Sequence, residues 1–96
     1  MSAPRVEVTP AGPDTFRVVI REGASATEHH VGCDARTCAR YAPAAAAGEL
    51  VRAAVTFLLD REPKESILAR FDLPVIEHYF PEFPAQIGRY LEPPPA

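Results

Sequence analysis

Phe16-Arg17-Val18-Val19-Ile20-Arg21 alternates, with Phe16, Val18 and Ile20 on one side and Arg17 and Arg21 on the other. A period of two residues belongs to a strand with one buried face. Upstream, Arg5-Val6-Glu7-Val8-Thr9 places both valines on one face, and Pro10-Ala11-Gly12-Pro13-Asp14 supplies the turn formers between the two segments. Downstream, Glu22-Gly23-Ala24-Ser25 offers a second turn before Ala26 to Cys33. The expected unit over residues 5–33 is a three-stranded antiparallel meander. Its third strand sets Thr27, His29, Val31 and Cys33 against Glu28 and His30, a mixture that suits an edge. An open edge around Glu28 to Val31 would allow self-association by pairing with a twin chain.

After Cys33 the period becomes helical. Asp34 is a fair N-cap for a short turn through Tyr41, which Pro43 interrupts. Leu50, Val51, Ala54, Val55, Phe57 and Leu58 then form a wide apolar stripe with Arg52, Thr56 and Asp60 off it. The main helix is expected within 43–62 and must end near Glu62, which precedes Pro63 and is steered out of the helical region. Three short helices are expected over 63–91. Pro63 suits a first helical position with Ile67, Leu68 and Phe71 on one side, Asp72 caps the next helix, and Pro84 opens the last. The tail 92–96, Glu-Pro-Pro-Pro-Ala, cannot continue a helix and reads as extended.

With 96 residues the chain has room for one domain and one core. Its 47% hydrophobic and 24% charged residues match a globular composition, and no apolar run approaches the ~20 residues of a membrane helix. Met-Ser-Ala-Pro-Arg lacks the apolar core of a secretory signal, so a cytoplasmic chain with both cysteines reduced is expected. Charge is balanced up to residue 61, but residues 62–96 carry Lys64, Arg70 and Arg89 against Glu62, Glu65, Asp72, Glu77, Glu82 and Glu92. An acidic surface of that kind repels phosphates and argues against nucleic acid.

The run Glu62-Pro63-Lys64-Glu65-Ser66-Ile67-Leu68, followed by Phe71-Asp72-Leu73, Ile76 and Tyr79-Phe80-Pro81-Glu82-Phe83, resembles a signature carried by small bacterial proteins of about this size. The resemblance implies no assigned activity, ligand or catalytic residue. A looser likeness, in element order alone, is to antitoxins whose small sheet precedes a helix.

Four groups of residues could carry function. The segment Lys64 to Phe80 has the outline of a helix-turn-helix, yet its second helix lacks the Arg, Lys, Asn and Gln that read base edges, so two packed helices closing the core is the favoured reading. His29, Cys33 and Cys38 are candidate metal ligands of the types zinc accepts, at a spacing that matches no standard finger. Buried cysteines more commonly act as small hydrophobes. Ser66 and the paired carboxylates Glu77 and Glu82 lack the partners or spacing of catalytic groups, and no phosphate loop is present. No residue is assigned to catalysis and no cofactor is implied. Tyr79, Phe80, Phe83 and Tyr90 remain as candidate partner contacts, because aromatics not needed in a core anchor interfaces.

The sequence therefore specifies an α+β domain, a three-stranded antiparallel meander packed against one main helix and followed by short C-terminal helices. Its expected role is a non-enzymatic partner-binding or regulatory module. The alternatives are a nucleic-acid-linked regulator of antitoxin type and a small metal-binding domain.

Overall fold

A computed structural model describes residues 3–91; the tail 92–96 lies outside the described residues. Strands β1 (Arg5–Gly12), β2 (Thr15–Glu22) and β3 (Ser25–Gly32) form the antiparallel meander, with Val8 opposite Val18 and Val18 opposite His29. The β2–β3 turn is made by Gly23, whose φ of 60° lies in the left-handed region open to glycine. Helices α1 (Ala35–Tyr41) and α2 (Ala47–Leu59) follow. The chain then passes through a single 3₁₀ turn (Lys64–Ser66), a three-residue strand β4 (Arg70–Asp72), α3 (Val75–Tyr79) and α4 (Phe83–Leu91).

Strand β4 changes the expected architecture. It pairs parallel to β3, with His30 opposite Arg70, Val31 opposite Phe71 and Gly32 opposite Asp72, and gives a mixed sheet of order β1-β2-β3-β4. The meander is present but continues into a fourth strand, and β3 is interior where β4 joins it. The edge expected from Glu28 to Val31 is thus occupied from His30 onward, where His30 N donates to Ala69 O at 2.8 Å. Glycine at position 32 leaves room for the Asp72 carboxylate, since a Cβ there would lie 2.2 Å from Asp72 Oδ1 and that side chain would have to turn aside. The helix expected from Pro63 to Phe71 is replaced by the 3₁₀ turn and strand, so the helix-turn-helix outline is absent from the described residues. Asp72 likewise does not cap α3, whose N-cap is Pro74.

The core lies between the inner sheet face and α2. Val18, Ile20, Val31 and Phe71 cover α2 from the sheet side, while Leu50, Val51, Ala54, Val55 and Phe57 are enclosed along the helix. Burying side chains of this size contributes about 1.5–3 kcal/mol each. Phe57 sits among edge-on rings, with Phe83 at 5.0 Å, Tyr90 at 5.7 Å and Phe80 at 6.0 Å between centroids. The Arg61 guanidinium lies 3.6 Å from its ring centroid.

The outer sheet face is polar and self-paired. Arg17 bonds Glu28 at 3.0 Å and Arg21 bonds Glu7 at 3.0 Å, and their aliphatic stems flank Val19. At the outer edge, Arg52 of α2 donates to Val6 O and occupies part of the β1 backbone edge.

Candidate functional site

The C-terminal half encloses an apolar groove of about 340 Å³. The last turn of α2 supplies Leu58, and Glu62 stands just beyond it. The segment after the 3₁₀ turn contributes Ile67 and Leu68, β4 contributes Phe71, and α3 contributes Val75, Ile76 and Tyr79 with Phe80 at its end. Ser66 completes the lining. Two large apolar side chains of this groove stand in solvent, Leu68 at 49% and Tyr79 at 64% exposure.

The walls are held from behind by polar contacts. His29 is buried, and its Nδ1 lies 2.8 Å from Leu68 O while Nε2 lies 2.8 Å from Thr27 Oγ1. A carbonyl only accepts, so Nδ1 carries a proton and donates to Leu68 O, while the threonine hydroxyl, able to donate or accept, partners Nε2. Together with the His30 N to Ala69 O bond, this clamps the main chain under Leu68 to β3. On the other wall, Arg40 (2.9 Å) and the Tyr41 hydroxyl (2.7 Å) both donate to Glu77 Oε1, fixing α3 against α1. Burial, followed by the bond to Glu77, pushes the Tyr41 phenol up to about 12.

Charge at the groove is one-sided. Lys64 is covered to 4% exposure and bonds Glu65 at 2.7 Å and Glu22 at 3.5 Å; the Glu65 contact chiefly raises its pKa. Arg61 pairs with Glu82 at 3.1 Å. Glu62, the charged residue of the lining, has no ion pair or side-chain hydrogen bond among the described residues.

The four aromatic candidates divide. Tyr79 and Phe80 meet at the groove, Phe80 also touching Phe57. Phe83 is at 0% exposure, so it is a core residue and offers nothing to a partner. Tyr90 is half-buried, and its hydroxyl donates to Asp60 Oδ2 outside the groove. Leu68 and Glu62, which also line the groove, carry no such signal in the sequence, because their pattern reads equally well as the flank of a short helix.

The candidate metal ligands do not converge. Cys33 and Cys38 face each other with Sγ atoms 3.6 Å apart, but His29 is four residues along the strand from Cys33, about 13 Å, and both its nitrogens are engaged. Among the described residues no group of three or more His, Cys, Asp or Glu side chains is placed to hold a metal. Burial first, and then the neighbouring Cys38, push the Cys33 thiol up to about 12, opposite to the shift of a reactive cysteine. A second, polar cleft of about 360 Å³ is bordered by Asp14, Asp34 and Asp72, with the Asp34 carboxylate accepting from Thr37 N at 2.8 Å as the cap of α1.

No helix among the described residues is long and apolar enough to cross a membrane. Neither a family model, nor a curated protein, nor a solved structure matches the chain.

Proposed function

We propose that this chain is a non-enzymatic binding module of the bacterial cytoplasm whose groove between α2, β4 and α3 takes a segment of another polypeptide. The observation that carries this reading is the joint exposure of Leu68 and Tyr79 beside a concave apolar surface. Large apolar side chains left in solvent next to a preformed groove are what an interface core requires. A small ligand would be enclosed by the concavity and would leave both side chains wet, whereas a chain laid across the groove covers them. The wall is anchored to the sheet through His29 and His30, so little ordering is needed on binding. The test is paired affinity capture with wild type and a Leu68→Ala/Tyr79→Ala variant, followed by a Kd measured with the purified partner. A partner retained by the variant at unchanged Kd overturns the assignment.

The second reading, a nucleic-acid-linked regulator, has one row in its favour: Arg70 lies beside His30 on the outer sheet face, while Arg17 in the same row is held by Glu28. The acidic C-terminal third weighs against it. A mobility shift at low salt decides: binding abolished by Arg70→Ala supports it, and no shift with DNA or RNA removes it.

A further inference from the structure

We infer that the segment seated in the groove is basic and amphipathic, placing a Lys or Arg beside its apolar anchors; this rests on the groove being a polypeptide site. Glu62 shares the groove lining with Leu58, Leu68 and Tyr79. The cations on either side of it in the chain are committed elsewhere, Arg61 to Glu82 and Lys64 to Glu65 and Glu22. A carboxylate against apolar walls acts over a longer range than one in open water, because the walls lower the local dielectric. Seating an apolar segment would strip water from Glu62 and leave a charge unpaired, unless the segment brings a cation.

The same charge selects against other occupants. Two copies related by a two-fold axis would bring their Glu62 carboxylates to one seam, on chains that each carry a net charge of -3. An acidic segment would meet the uncompensated carboxylate directly. A neutral one gains the apolar contacts of Leu68 and Tyr79 and desolvates Glu62 without return. The basic segment alone gains from both halves of the surface.

Selection of a random peptide library displayed on phage against the full chain tests this, with the selected peptides remade and titrated by fluorescence anisotropy. Wild type, Leu68→Ala, Glu62→Gln and Glu62→Lys are compared, all checked for coincident thermal unfolding. Peptides that lose about tenfold in affinity with Leu68→Ala define groove binders. These are expected to carry Lys or Arg beside their apolar residues, to weaken about fivefold with Glu62→Gln, and to recover on Glu62→Lys when their basic residue is changed to Glu. Groove binders without basic enrichment, indifferent to Glu62→Gln, overturn the charge assignment and leave the groove standing. If no selected peptide depends on Leu68, the groove itself falls. Concentration-dependent dimerisation abolished by Leu68→Ala would make a second copy the occupant and also overturn the inference.

Discussion

The thiols of Cys33 and Cys38 face each other at 3.6 Å across the junction of β3 and α1, with Cys33 sealed in the core and Cys38 half-exposed. The two sulfurs are therefore unequal. Iodoacetamide at neutral pH is expected to alkylate Cys38 at least about tenfold faster than Cys33, because burial denies Cys33 both access and its thiolate. Peptide mass mapping over time reads the two rates. Equal rates would show that the junction opens freely.

Alkaline pH should destabilise the fold. The Cys33 thiol is raised from an ordinary 9.0 to about 12, and the Tyr41 phenol from 10.0 to about 12. Both groups stay protonated in the folded chain at a pH where the unfolded chain ionises. Their stabilisation is complete below about pH 9 and is lost as pH climbs toward about 12. Urea midpoints are expected to fall between about pH 8 and about pH 11, less steeply in Cys33→Ala. A flat profile across that window would contradict the shifts.

Acid acts on different groups. Glu65, Glu28 and Glu82 all have lowered pKa values, with Lys64, Arg17 and the Glu82 backbone amide as the respective leading causes. Their contribution is present above the ordinary carboxylate value of 4.5 and disappears as pH drops through the lowered values. Arg17→Ala should therefore reduce the loss of stability on acidification, as measured by urea midpoints.

Removal of aromatic rings should separate core from surface. Phe83→Ala is expected to cost about 3–5 kcal/mol, since the ring packs edge-on to Phe57 and Tyr41 with no solvent exposure. Tyr79→Ala should stay within about 0.5 kcal/mol. Comparable losses in urea unfolding would mean that Tyr79 is part of the core.

His29→Ala should loosen the groove without touching its lining. The substitution leaves the Leu68 carbonyl without its partner, a loss of about 1–3 kcal/mol where the group stays shielded from water. Amide exchange at His30, whose N–H donates to Ala69 O, and at Leu73, whose N–H donates to Gly32 O, should accelerate relative to β1. Unchanged exchange would show that the histidine is not the clamp.

How far the fold could be read depended on length and period. The strands of the meander declare themselves because Val18 and Ile20 alternate with Arg17 and Arg21 over a long enough run, and α2 because its apolar stripe spans several turns. Strand β4 is three residues long and set in register by main-chain bonds, His30 N to Ala69 O and Leu73 N to Gly32 O, which leave no side-chain signature. Ile67 and Phe71 add an ambiguity: a spacing of four residues shares a face on a helix and on a strand alike. The two conformations differ at Leu68, which a helix keeps beside Ile67 and an extended chain turns outward. The groove was hidden by that one residue. Tyr79 and Phe80 were legible as candidates, whereas the enclosure of Phe83 depends on α4 folding back on α2, a matter of tertiary packing.

The parallel pairing of β3 with β4 also bears on the expected order of folding. Both hairpins of the meander close over short turns, but Val31 meets Phe71 only after the intervening chain, with α1 and α2, has been gathered in. Loop closure over such a span is slow and is offset only when the contact is complete. The groove wall is expected to form with this last step, leaving a partly folded chain without a groove to offer. A ligand bound there would recognise the closed chain alone, and by mass action it would disfavour the reopening that frees β4 from the β3 edge.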